Sequence, residues 1–360
     1  MELNHFFKDL KVIELASVLA GPAVGLFFSE LGAEVRKVEN VAAGGDVTRS
    51  WKLPVENPES DYSAYFCSVN WNKQHFFLDL MNESDQNLIH KWIKSSDVVI
   101  TNFKESSSRK MRMDYQFLKT INPRLIFAQL FSYSETDSTP AYDIVLQAEA
   151  GFLSMTGEKD RPPVRMPVAF IDLIAAHQLK EGILLALLDR ERTGSGALVS
   201  VSLYDAAIAS LANQASNYLM TGFIPQPMGS QHPNIAPYGD VFTSKDNQRM
   251  VFAVGNDVQF SQLCDLLEAK ELKNDPSYAI NSKRVINRAD LIDKLQNKIS
   301  EFEMDTLINS CRNYNIPAGR VNDMQTVFQS SEAQKLVLEE KMVDGAISKR
   351  VKTVVFNLRH

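Results

Sequence analysis

The stretch LKVIELASVLAGPAVGLFFSELGAEVRKVEN, residues 10 to 40, decides the fold class. KVIEL (11–15) is a short apolar run of strand length. Gly21 and Pro22 then open a helix, PAVGLFFSELGA. A proline suits a first helical turn because the N–H it lacks would have no intrahelical acceptor there. EVRKVE (34–39) alternates polar and apolar residues as a second strand does. Strand, helix and strand at this spacing make a βαβ unit, whose two strands lie parallel in one sheet.

The same alternation runs on. HFFLDL (75–80), DVVIT (97–101) and RLIFAQL (124–130) are strand candidates, with SDQNLIHKWIKSS (84–96) a helix between the first two. A parallel, doubly wound α/β sheet is the economical reading. LIAAHQLKEGILLALLDRER (173–192) is an apolar helix stopped by Gly194 and Gly196, ALVSVSLY (197–204) a strand, and DAAIASLANQASNYLMTG (205–222) a helix. IPQPMGSQHPNIAPYGD (224–240) concentrates Pro and Gly as loops do, and marks a domain change. We expect residues 1–200 and 330–360 to form a large domain, 201–225 a linker helix, and 226–325 a small α+β domain. The closing stretch EKMVDGAISKRVKTVVFNLRH (340–360) alternates like strands that rejoin the first sheet.

Composition narrows the function. A chain of 360 residues, 44% hydrophobic and 23% charged, suits a soluble globular protein of one large or two ordinary domains. A net charge of −6 gives no reason to expect nucleic acid. Neither a signal-peptide pattern nor an apolar run of bilayer length is present, so no membrane partner is expected. Cys67, Cys264 and Cys311 are odd in number and widely spaced, which points to free thiols in a reducing compartment and a cytoplasmic location. No histidine joins a cysteine or carboxylate cluster, so no metal site is expected. The opening βαβ unit imitates a dinucleotide site, with Glu39 as the acid after the second strand. AGPAVG (20–25) nevertheless fails the GxGxxG pattern, and Pro22 sits where a donor amide would be wanted.

One charge stands out. In MPVAFIDLIAAHQLKEG (166–182), Asp172 separates two apolar segments that both read as interior. A buried carboxylate should cap a helix, be paired, or be chemically employed. Asp is a preferred helix cap, and Asp205 before AAIASLA shows the same grammar and reads as a cap alone. His177, five residues on, is off the face that Asp172 occupies and reads as a core or rim histidine.

Beyond these local readings, the opening stretch followed by GGDVTRSW (44–51) resembles the N-terminal signature of family III CoA-transferases, the CaiB/BaiF group. The likeness continues through NKQHFFLDL, DVVITNFK, NPRLIFAQLFSY, PAYDIVLQAEAGFLSMTG and residues 172–212. It reaches PYGDVFTSKD, FAVGNDVQFSQLC and IPAGRVNDMQTVF, so it covers nearly the whole chain. The resemblance implies a large Rossmann-like CoA-binding domain built from both chain ends, a smaller α+β domain, and an intertwined homodimer. It implies a formyl-CoA transferase-like activity that moves CoA from an acyl-CoA donor to a carboxylic acid acceptor. Coenzyme A is then substrate and product, and no cofactor is tightly bound.

The family's catalytic aspartate falls on Asp172, which would form an acyl anhydride and then a CoA thioester. The CoA site falls on Leu19 and Ala20 in the first turn, Asn40 after the second strand, and Leu78 and Leu80 beside the adenine. It continues at Asn102, Phe103 and Lys104 after DVVIT, at Lys110, and at Tyr142. NFKESSSRKMRM (102–113) replaces the family's usual NFRPGV, which leaves Arg109 or Arg112 to substitute at the phosphates. Backbone amides near MGSQHPN (228–234) would stabilise oxyanions, although Gly229 is the one glycine there. A related activity, α-methylacyl-CoA racemisation, would put its histidine base at Tyr142, a poor base with a reference pKa of about 10. A non-enzymatic CoA-binding protein would keep the same turns and leave Asp172 as a cap.

Overall fold

The computed structural model describes residues 5–137 and 139–358. Six strands form one parallel sheet: β1 (Lys11–Glu14), β2 (Glu34–Asn40), β3 (Gln74–Leu78), β4 (Val98–Thr101), β5 (Ile126–Phe131) and β6 (Ala197–Ser202). Their order is β3-β2-β1-β4-β5-β6. The chain therefore winds outward from β1 to β3, returns to the middle, and winds the other way from β4 to β6.

Helices cover both faces, which is why the middle strands read as apolar runs rather than clean alternations. All four residues of β4 are buried. Val98 and Ile100 point into a core shared with the helices Ala20–Glu30 and Phe170–Thr193. Val99, one residue between them, points into a second core with Ile89, Ile93 and Leu118 from the opposite layer. The period of two along a strand places successive side chains in different cores.

The chain divides into two compact units. The first comprises residues 1–154, 165–225 and 335–360, and the second residues 155–164 and 226–334. Residues 201–225 thus fall inside the first unit, where DAAIASLANQASNYLMTG is two helices, Leu203–Ala209 and Ala212–Thr221. The cap of the first of these is Ser202, whose side chain accepts the Asp205 N–H; Asp205 itself lies in the first turn. Residues 155–164 join the second unit, which sequence periodicity does not show.

The second unit is built on an antiparallel sheet of β7 (Tyr238–Thr243), β8 (Arg249–Ala253) and β9 (Ala318–Arg320). Phe242, Phe252, Leu263, Leu295 and Leu307 fill its core. The closing stretch does not rejoin the six-stranded sheet. β10 (Val337–Lys341) and β11 (Ile347–Val351) pair with each other as an antiparallel hairpin. Beyond it, the buried Glu30 carboxylate accepts the backbone N–H groups of Thr353 and Val354.

Candidate active site

In an open parallel sheet, loops leaving the carboxyl ends of two neighbouring strands diverge where the winding direction reverses, and a crevice opens between them. Here that place lies between β1 and β4. A cavity of about 650 Å³ occupies it. Its walls come from residues 17–20 after β1, residues 102–107 after β4, and Ser132, Glu135 and Asp137 after β5, with Asp172 among them. Asn102 ties the first two segments together. Its carboxamide donates to the Ser17 carbonyl (3.1 Å) and accepts the Ser17 N–H (3.3 Å).

Asp172 is the third residue of the helix Phe170–Thr193, buried to 8% exposure and not its cap. The cap comes from elsewhere in the chain. Asp143, on the helix Asp143–Glu149, accepts the N–H of Ile171 (2.7 Å) and of Asp172 (3.3 Å). The Gln147 amide donates to the other Asp143 oxygen, and Gln147 Oε1 accepts the Met166 N–H at 3.0 Å. Among the described residues no cation pairs with Asp172, while a second carboxylate stands close by. Burial, with the Asp143 charge added, pushes its pKa up to about 7. A helix N-terminus alone would favour the ionised form, so desolvation wins here. Tyr65 feels the same negative charges: burial, then the charges of Asp172 and Asp143, raise its hydroxyl to about 12. Trp51 stacks edge-on against Tyr65 and Tyr142, with ring centroids 5.1 and 6.2 Å apart.

Beneath the β1 turn lies a set of buried charges that sequence reading missed. Glu14 accepts from Lys37 (3.0 Å) and Lys73 (2.7 Å), and all three side chains are essentially solvent-free. Gly25 makes room for them, since a Cβ there would sit 1.8 Å from Glu14 Oε2. A Cβ on Gly21 would meet that of Ala16 at 2.2 Å. The two glycines of AGPAVG therefore serve close packing of helix on strand rather than a phosphate. Glu39 is unavailable to a ribose, because Arg49 (2.7 and 2.6 Å), His75 (2.8 Å) and the Asp46 N–H (2.9 Å) already occupy its oxygens. Those bonds outweigh burial and hold its carboxyl well below the usual range.

Of the residues singled out from sequence, Leu19, Ala20, Asn102, Phe103, Lys104, Tyr142 and Asp172 line the cavity. The others lie elsewhere. Asn40 accepts the Ala42 N–H as the cap of a short turn. Leu80 is buried in the core opposite the helix Phe170–Thr193, and Leu78 packs against that core. Lys110 ends the short helix Glu105–Lys110, Arg109 pairs with Glu105, and Arg112 stacks over Phe117 at 4.4 Å. None of these three basic residues lines the cavity. His177 is exposed on its helix. In the second unit, the Gly229 N–H is given to Gly157 O (2.8 Å), that of Gln231 to Met228 O, and that of His232 to Tyr238 O. Those three amides of the stretch are spent inside the unit. Ser132, Glu135 and Asp137 were missed, although their place after β5, beside the reversal point, was the available signal.

Among the described residues no group of His, Cys, Asp and Glu has the arrangement of a metal site, and no helix is long and apolar enough to cross a membrane. The chain is similar to a succinate–glutarate CoA-transferase of Agrobacterium fabrum, 34% identical over 96% of this chain and 88% of that one. It is similar to an acetyl-CoA:oxalate CoA-transferase of Acetobacter aceti, 34% identical over 88% of this chain and 81% of the other. A crystal structure of a CaiB/BaiF family protein from Brucella suis superposes with a TM-score of 0.83 and 36% identity, covering 97% of this chain and 91% of that one. Residues 7–359 match CoA-transferase family III, and the chain is a member of that enzyme family.

Proposed function

We propose that the protein transfers CoA from an acyl-CoA donor to an acceptor carboxylic acid, with Asp172 as the nucleophile. One observation carries the reading. A buried carboxylate with no counter-ion among the described residues stands in the wall of a large cavity at the sheet's reversal point, where ligands of open α/β sheets bind. The strand order is the one that Rossmann-like nucleotide sites use, and the six cavity residues besides Asp172 suit the CoA moiety.

The Asp172 carboxylate attacks the thioester carbonyl; the C–S bond breaks, CoA leaves as thiolate, and an acyl-aspartyl anhydride remains. The thiolate attacks the aspartyl carbonyl, releases the donor acid and leaves an aspartyl-CoA thioester. The acceptor carboxylate attacks that carbonyl and expels the thiolate, forming a second anhydride. Attack of the thiolate on the acceptor's carbonyl carbon yields the new thioester and frees Asp172. Each step exchanges one activated acyl group for another, which splits a hard exchange into easier ones. A desolvated carboxylate is the more nucleophilic for its raised pKa, and a substantial fraction of it is ionised near neutrality. Asp143 holds the Asp172 backbone by accepting its N–H and that of Ile171.

The relatives named for glutarate and oxalate support a short dicarboxylic acid as the acceptor class, with a short acyl-CoA as donor. Three buried free thiols support a reducing, cytoplasmic setting, and the resemblance supports a homodimer. Tyr142 at the place of a racemase base argues for transfer over racemisation. The test is to incubate the protein with a panel of acyl-CoAs, trap with hydroxylamine or borohydride, and examine the peptide that contains residue 172 by mass spectrometry. An adduct on Asp172 that is lost in Asp172→Asn is expected. Exchange of the acyl α-proton with no adduct would overturn the reading in favour of racemisation, and CoA binding with neither would leave a binding protein.

A further inference from the structure

Val18 is the least comfortable residue of the cavity wall. Its φ is +73°, the left-handed region, which a β-branched side chain strongly disfavours. Such a conformation persists where its surroundings dictate it, and it concentrates at functional sites. What dictates it here is visible. The Val18 N–H points at the Asp46 carboxylate, 3.2 and 3.3 Å from its two oxygens. Asp46 is itself fixed, by Lys37 Nζ (3.0 Å), the Thr48 N–H (3.1 Å) and the Thr48 hydroxyl (2.8 Å). Lys37 spends its remaining two protons on Glu14 (3.0 Å) and on the carbonyl of Ala16 (2.9 Å). Asn102 takes both polar groups of Ser17. From the Ala16 carbonyl to the Val18 N–H, each backbone group is therefore held by a side chain from another strand or loop.

We propose that Asp46 and Lys37 are positioning residues for the cavity: their ion pair clamps the Ala16–Val18 turn in its strained form and so places Leu19, Ala20 and the start of the helix Ala20–Glu30 as the wall. The pair is 28 and 19 residues away from Val18 in sequence, and neither residue lines the cavity itself. The helix has no side-chain cap of its own at Leu19, so nothing local would restore its starting direction if the clamp were released. The same ammonium grips Glu14 on β1, which makes the clamp rigid relative to the sheet.

This inference rests on the reading of the cavity as an acyl-CoA site, and two measurements keep the two apart. In steady-state transfer, Asp46→Asn is expected to raise the KM for the acyl-CoA at least tenfold and to change kcat less than threefold. Adding Val18→Gly to Asp46→Asn should recover at least threefold of that KM, because glycine takes a positive φ without strain. Should Asp46→Asn not fold, Thr48→Val removes one bond to the carboxylate and leaves the ion pair, with KM expected to rise two- to threefold. Hydrogen exchange read by mass spectrometry tests the turn whether or not a ligand binds. Amides 16–20 should exchange at least tenfold faster in either variant, with β4 unchanged. An unmoved KM with a lowered thermal midpoint, absence of rescue by Val18→Gly, or unaltered exchange at 16–20 would each overturn the clamp. If the parent protein neither binds CoA by calorimetry nor transfers it, while exchange at 16–20 responds as stated, the functional reading is the one that fails.

Discussion

Asp46 and Asp172 lie in the same unit, are of the same chemical type, and are comparably hidden from water at 4% and 8% exposure. Their surroundings differ. Asp46 has an ammonium, a hydroxyl and backbone N–H groups on its oxygens, whereas Asp172 faces burial and a second carboxylate. A charge met by partners holds structure in place, whereas a carboxylate with a raised pKa in a cavity wall is placed for reaction. The contrast also tells which carboxylate a substrate can reach, since the cavity is lined by Asp172 and not by Asp46.

The comparison breaks most sharply at Asp172 itself. Asp172→Asn should cut acyl transfer by about ten-thousandfold, roughly 5 kcal/mol of barrier, as read in a coupled CoA-release assay. The same substitution should stabilise the fold at alkaline pH. A carboxyl whose folded pKa is raised from 3.8 to about 7 stabilises the protein below pH 3.8, and that contribution is lost as pH rises through 7. The asparagine variant escapes this loss, by up to about 4 kcal/mol at pH 8, measurable as a higher denaturation midpoint there and little difference near pH 4.

Gly25→Ala probes the satisfied side. A methyl 1.8 Å from Glu14 Oε2 forces that carboxylate off Lys73 in a buried site. The expected cost is about 3–5 kcal/mol, against a gain of only about 1 kcal/mol in helix propensity; thermal unfolding decides. In the parent enzyme, kcat/KM for the acyl-CoA should fall about tenfold per pH unit well below 7, since only the ionised Asp172 attacks. Asp143→Asn should make the smallest change. It removes the nearby charge, so this acid limb should move to lower pH, and the weakened cap should cost about 1 kcal/mol.

How much of this was legible in the residues depends on how local the cause is. The six parallel strands follow from periodicities of a few residues, and each was visible. Asp172 stood out because a lone charge interrupts an apolar run. Its cap did not, because Asp143 lies 29 residues upstream and no local pattern joins them. Lys37 sits in EVRKVEN, an alternation that reads as a half-exposed strand, yet its ammonium is buried on carboxylates from β1 and from residue 46. The hairpin of β10 and β11 carried a correct strand signal and an incorrect partner, since alternation reports pleating and not which edge is paired. Leu80 reads as a ligand contact from the resemblance, and nothing local showed that it would also be buried in a core.

Glu30 gives the molecule an order in time. Its carboxylate is buried in the first helix and takes the N–H groups of Thr353 and Val354, some 323 residues later. During synthesis at roughly 5–20 residues per second, the early sheet must wait tens of seconds for these partners, with the whole second unit emerging in between. The first unit therefore closes on itself only after the second has been made, although it begins first.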